Sequence, residues 1–216
     1  HLVNEDALKF DYDELYKNIS GNKLLFEEVN HDLQITYRYQ WSSSNKFGFI
    51  RRSQIINNSQ ESVKISICDG IQNIVPAGVG SDIQNQSSNL VDAYKRNELI
   101  KKSGIGIYAL SAIIVDKAEP SEALKANIVW SLGIENSILL LSSLQLSSFR
   151  KGNHISEELD IKAEKGGYFI VADMNLSSKE QKEWMIIADV NKNQSAIVAL
   201  SEKIINNKNI ADIVLQ

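Results

Sequence analysis

Apolar side chains recur at every second position in several segments of this chain, a period that restricts those segments to strands with one buried face. The pattern is cleanest at Leu33, Ile35, Tyr37, Tyr39 and Trp41, which alternate with Gln34, Thr36, Arg38 and Gln40. A second strand candidate, 24–29, precedes it, and Asn30-His31-Asp32 supplies turn residues between them, so the two predict a hairpin. Val63, Ile65 and Ile67 repeat the alternation against Lys64, Ser66 and Cys68. With 47–56 across Asn57-Asn58-Ser59-Gln60, this segment predicts a second hairpin. Asp69-Gly70 reads as the turn that closes the row, because Asp bonds its local backbone and Gly tolerates positive φ.

The period changes from Asp82 to Lys102, where Leu90, Val91, Tyr94 and Leu99 fit a helical spacing, with Ser87, Ser88 and Asn89 as available N-caps. Strand patterning returns over 104–116, 123–134 and 136–149, interrupted by a polar break at 117–122 that contains Pro120. Segment 151–167 is polar and aperiodic and predicts an exposed loop or a short helix. The segments 167–177 and 182–192 then carry apolar residues on both faces, as strands in the middle of a layered structure do. The tail has helical spacing at Ile197, Val198, Leu200, Ile204 and Ile205, and the run Asn206-Asn207-Lys208-Asn209 breaks it. With no βαβ rhythm and no fixed-period repeat, the chain is expected to be mainly β: an antiparallel β-supersandwich with an inserted helix and a C-terminal helix. One domain over 1–216 is expected, and the start at His1 instead of Met predicts a processed protein or an excised piece of a longer one.

Composition removes several function classes. A net charge of −4 speaks against a surface built to neutralise phosphates, so nucleic acid is not an expected partner. No apolar run reaches membrane-spanning length, and a membrane is not expected either. The single cysteine, Cys68, leaves the compartment open and reads as a half-buried packing residue. His1, His31 and His154 lie in polar, turn-like surroundings. No His or Cys pair or EF-hand loop has ligand spacing, and Gly78-Val79-Gly80 and Gly104-Ile105-Gly106 do not open helices, so no metal or cofactor is expected.

One polar constellation stands out: Arg51, Arg52, Asp69, Gln72, Asn73 and Asp82, since adjacent strands would bring an arginine near the Asp69 carboxylate. An Arg–Asp pair pinning a sheet rim, with Gln72 and Asn73 capping loop backbone, accounts for it without a ligand. A rim that hydrogen-bonds sugar hydroxyls or a partner domain is the functional alternative. Trp41, Trp130 and Trp184 could stack on sugar rings, but each falls on the apolar side of an alternating strand and is expected in the core. Glu27-Glu28, Glu157-Glu158 and Asp160 lack the enclosed setting that a paired-carboxylate glycosidase needs.

An ordered series runs through these segments: Arg-x-x-x-x-x-Asn at 51–57, Asp-Gly-x-Gln-Asn at 69–73 and Trp-x-x-x-Ala-Asp at 184–189. It resembles the N-terminal β-supersandwich, galactose-mutarotase-like in fold, of large carbohydrate-active proteins such as cellobiose and chitobiose phosphorylases and cyclic glucan synthase-related proteins. The resemblance covers most of residues 33–200. It implies a non-catalytic module that packs on its own downstream catalytic domain, an (α/α)6 barrel, with carbohydrate contact and a homo-oligomer interface as further roles. An active mutarotase carries a histidine and a carboxylate on its sheet, and none of the three histidines here falls on an expected strand. A stand-alone mutarotase- or lyase-like enzyme and a purely structural interaction module are the alternatives.

Overall fold

The computed structural model describes residues 12–19, 21–86, 88–111, 125–207 and 210–215. Twelve strands occur among them: β1 (Tyr12–Lys17), β2 (Lys23–Asn30), β3 (Ile35–Ser44), β4 (Gly48–Asn57), β5 (Val63–Ile74), β6 (Lys95–Ile100), β7 (Ile105–Leu110), β8 (Lys125–Leu132), β9 (Ile138–Leu140), β10 (Asp160–Lys162), β11 (Gly166–Leu176) and β12 (Gln181–Asn193). Five helices accompany them: α1 (Ser81–Gln86), α2 (Ser88–Tyr94), α3 (Leu146–Arg150), α4 (Gln194–Asn206) and α5 (Ile210–Leu215). A nine-stranded sheet, ordered β1-β2-β3-β4-β12-β8-β7-β6-β10, stacks on a three-stranded sheet, β5-β11-β9. The ladders among the described strands are antiparallel, so the mainly β, layered architecture expected from the alternation is what forms.

Strand parity sorts the core into layers. Between the sheets, Ile35, Ile55 and Trp184 of the large sheet pack against Ile67, Ile170 and Met174 of the small one. The opposite face of the large sheet carries Ile50, Ile128, Trp130 and Ile187, and Ile197, Ile210 and Val214 of the C-terminal helices cover it. A third layer, Phe169 and Val171 with Ile155 and Phe149, lies on the outer face of the small sheet. β11 and β12 thus have apolar neighbours on both sides, which is why their sequences show little alternation.

Four sequence expectations are corrected. The first hairpin forms as β2–β3, but 47–56 and 62–69 do not pair with each other: β4 joins β3 and β12, whereas β5 crosses to the other sheet and pairs β11. Asp69-Gly70 is not a turn. β5 runs straight through it, and Gly70 is required instead by close approach, because a Cβ there would stand 2.2 Å from the Tyr168 carbonyl oxygen. The helix expected over 82–102 breaks at Tyr94; from Lys95 the chain is β6, where ladders to β7 and β10 outweigh its helical spacing. The long strand expected over 136–149 is only β9, after which Ser142 and Ser143 begin a turn into α3. The buried Glu158 carboxylate accepts from the Leu141 N–H at 2.7 Å and from the Ser142 hydroxyl at 2.9 Å, holding that turn.

The C-terminal helix is interrupted where the Asn run predicted: α4 ends at Asn206 and α5 starts at Ile210. Asn193 caps α4 by accepting from the Ala196 N–H at 2.9 Å. The expected continuation of β7 to Asp116, the polar break with Pro120, the Leu124 strand start, His1, Lys208, Asn209 and the Ser87 cap lie outside the described residues.

Candidate functional site

β5 begins beside β4, one short connection after Asn57, and ends near β8, where the Val75 carbonyl accepts from Asn127 Nδ2 at 2.7 Å. It therefore passes obliquely under the large sheet and covers the Ile35 end of β3, leaving the inner face of β1, β2 and the Trp41 end of β3 less covered. A groove opens there, a cavity of about 270 Å³ walled by Tyr37, Tyr39 and Trp41 of β3, Arg51 and Ile55 of β4, Ile67, Cys68 and Asp69 of β5, with Glu28 and Trp184 also lining it. A cavity of about 150 Å³ already accepts a benzene-sized ligand, so this one has room for a single sugar-sized ring.

The aromatic wall follows from period two. Positions 37, 39 and 41 lie on one face of β3 at successive i, i+2 steps, about 6.8 Å apart along the strand. Phe26 of β2, opposite Tyr39 in the ladder, stacks on it with ring centroids 4.7 Å apart. Tyr37 and Tyr39 are 5.7 Å apart, and Tyr37 stacks on Trp184 at 6.1 Å. Farther along the same face, Leu15 and Phe49 are 62% and 57% exposed, so the row continues onto an open apolar surface.

Beneath it lies a buried polar network. Asp69 continues the inward parity of Val63, Ile65 and Ile67, so its carboxylate enters the inter-sheet core. There it forms an ion pair with Arg51 Nη1, accepts from the Ser53 hydroxyl at 2.8 Å and accepts from Trp184 Nε1 at 2.7 Å. Arg51 Nη1 also donates to the Ser53 hydroxyl at 3.2 Å, and Nη2 donates to the Tyr37 hydroxyl at 3.1 Å. The guanidinium carbon sits 4.4 Å from the Tyr39 ring centre. Arg51, Asp69 and Trp184, the heads of the three motifs in the ordered series, are thus one hydrogen-bonded unit that ties β4, β5 and β12 together. Asn57 closes the same crossover, donating to the Leu176 and Ser177 carbonyls at 3.2 and 2.9 Å.

Tyr37, Cys68 and Arg51 of the groove all keep their protons near neutral pH. Burial first, then the Asp69 and Arg51 charges, act on the Tyr37 hydroxyl, and the result is a pKa far above the usual phenol range. Burial, reinforced by Asp69, pushes the Cys68 thiol up to about 12. For Arg51, burial disfavours the charge, but Asp69 and Tyr37 together hold its pKa above the ordinary value.

The other residues of the sequence constellation do not join the groove. Arg52 points to the opposite face of the sheet and pairs with Glu183. Gln72 and Asn73 are exposed near the far end of β5. Asn73 has φ 57° where the ladder shifts register at Gly166/Gly167, the extra residue of a bulge that Asn tolerates. Asp82 is exposed in the first turn of α1. Trp130 and Trp184 are core residues as expected, but Trp41 is only half-buried and lines the groove. Sequence reasoning also passed over Tyr37 and Tyr39. The available signal was three aromatic residues at consecutive same-face positions of one strand. His31 and His154 are exposed outside the strands, and no cluster of potential metal ligands occurs among the described residues. Among the described residues, no helix is long and apolar enough to cross a membrane.

No family model and no curated protein matches the chain. Among solved structures it is similar to a heparinase III, with 14% identity, a TM-score of 0.45, and coverage of 87% of this chain and 22% of that one. A second heparinase III gene product matches at 7% identity and TM-score 0.40, over 85% of this chain and 22% of that one. A 4-α-glucanotransferase from Thermococcus litoralis matches at 12% identity and TM-score 0.29, over 82% of this chain and 22% of that one. The chain spans about a fifth of the length of each of these proteins.

Proposed function

We propose that this chain is a non-catalytic, carbohydrate-contacting β-sandwich of a larger glycoside phosphorylase- or hydrolase-like protein, working beside a catalytic (α/α)6 barrel that the rest of that protein supplies. The observation that carries the reading is the row Tyr37, Tyr39 and Trp41, presented along one wall of a groove above the Arg51–Asp69 pair. Flat aromatic faces suit the apolar C–H faces of pyranose rings, while the hydroxyl and carboxylate groups at the groove's sides suit sugar hydroxyls. The non-catalytic part is supported by the chemistry of the groove. Tyr37 and Cys68 keep their protons well above neutral pH, and the Asp69 carboxylate already accepts from three side chains. The galactose-mutarotase-like resemblance fits the stacked antiparallel sheets, and the position of His31 and His154 away from the strands speaks for an accessory role over a mutarotase.

Calorimetric titration of the chain with a panel of oligosaccharides tests this. Binding without product formation is expected, with Trp41→Ala weakening it at least tenfold, a loss of about 1.4 kcal/mol. Turnover of a sugar by the chain alone overturns the accessory reading in favour of a stand-alone enzyme. Absence of binding heat with every glycan overturns the carbohydrate reading.

A further inference from the structure

The shape of the groove narrows which part of a glycan it can take, an inference that rests on the carbohydrate reading above. The two sheets are sealed together where the chain crosses from Asn57 of β4 to Val63 of β5, and there Ile35, Ile55 and Ile67 are buried in one cluster. From that end the row on β3 runs outward at every second residue. Tyr37, Tyr39 and Trp41 are partly buried, and Phe49, paired with Ser43 one step farther, is more than half exposed. Toward β4, β5 and β12 the cavity is walled by buried Arg51, Asp69 and Trp184. The groove is a wedge with a closed inner end and its mouth toward Trp41, Phe49 and Leu15.

Such a wedge distinguishes the end of a sugar chain from its interior. In a linear polysaccharide each interior pyranose carries linkages on two different sides of its ring and needs two ways out, whereas a terminal residue needs one. A cavity of about 270 Å³ holds a single ring and gives it one exit. The aromatic row agrees. Tyr37 packs against Trp184 and Tyr39, at 6.1 and 5.7 Å, and Tyr39 packs against Phe26 and the Arg51 guanidinium, at 4.7 and 4.4 Å. These contacts engage both tyrosine rings within the protein, which leaves Trp41 at the mouth as the platform for one sugar face. Arg51 commits three of its five N–H donors to Asp69, Ser53 and Tyr37. Its other two remain for the hydroxyl that a chain end carries where an interior ring carries a linkage.

We infer that the groove captures the terminal residue of a pyranose chain, the rest of the chain leaving over Trp41 toward Phe49. The test uses amylose, β-glucan, xylan and mannan, each intact and after partial acid hydrolysis that multiplies chain ends about tenfold at fixed sugar mass, with binding to the chain read by calorimetry. For at least one glycan, binding sites per gram are expected to rise about tenfold with the ends. Borohydride reduction then reports which end is held: loss of binding marks the reducing end, retention marks the non-reducing end, and each agrees with capture of a terminus. Trp41→Ala, its fold checked by the urea midpoint, is expected to weaken binding at least tenfold. Phe49→Ser, at an exposed position, is expected to weaken oligosaccharides about threefold and leave the monosaccharide unchanged, because only later residues of the chain reach it. Sites per gram that stay constant as ends multiply mean interior binding and overturn the inference while the carbohydrate reading stands. End-dependent binding that survives both variants places the site elsewhere and overturns it too. Failure of every glycan to bind sinks the carbohydrate reading itself and this inference with it.

Discussion

Asp69 shows how one residue links fold and groove. Asp69 is 7% exposed, and its carboxylate joins an arginine, a serine and a tryptophan from two other strands. Asp69→Ala leaves Arg51 charged and unpaired in the core, and we expect a loss of about 3–5 kcal/mol in urea-induced unfolding. The paired replacement Arg51→Met with Asp69→Leu should recover most of that loss, because removing both charges leaves neither uncompensated. A double variant no more stable than Asp69→Ala would contradict the pairing. Cys68 allows a test by pH. Its thiol is raised from an ordinary value near 9 to about 12 in the folded protein, chiefly by burial. The unfolded chain therefore loses this proton first as pH rises. The contribution to stability is fully present below pH 9 and is lost as pH climbs through about 12. Iodoacetamide at pH 8.5, about the pKa of a free thiol, should label native protein far more slowly than urea-unfolded protein, and equal rates would refute the burial. The sequence pointed to an Arg51–Asp69 contact, but as a rim pair between adjacent strands; the structure makes it between strands of two different sheets, buried in the core. Trp184 as their third partner was not legible in the sequence, because its distance along the chain says nothing about which strand lies alongside.

At the scale of elements, β5 carries the instructive failure. Asp-Gly is a strong turn signal in local terms, yet the ladder to β11 continues through both residues. Adjacent strands supply hydrogen bonds and packing that exceed any local turn preference. Gly70 is needed because Phe169 and the Tyr168 carbonyl press on it, not because of its φ. Gly70→Ala should then destabilise by at least the roughly 1–3 kcal/mol typical of overpacking, read as a lower urea midpoint with an unchanged slope; a neutral substitution would mean the strands have room to separate. The left-handed turn residue of this strand is Asn73, at its bulge. β6 makes the same point with opposite sign: a segment whose spacing fits a helix is a strand because two partners flank it.

For the whole molecule, the C-terminal helices matter as a lid on the large sheet. Ile197, Ile210 and Val214 cover Ile50, Ile128, Trp130 and Ile187, an apolar face that would otherwise meet water. Ending the chain after Asn193 should expose that face and produce aggregation or strong binding of a hydrophobic dye, checked by light scattering and dye fluorescence; a monomeric, dye-silent truncation would show that the helices are dispensable. The opposite face of the same sheet is covered only in part, because the small sheet has fewer strands and β5 crosses it obliquely, and the uncovered part is the groove. What the sequence by itself determined is the alternation, hence which side chains share a face and that two sheets would stack. What only the tertiary structure decided is which sheet each strand joins and where coverage stops, because strand pairing is set by contacts between residues far apart in the chain, and no local pattern records them.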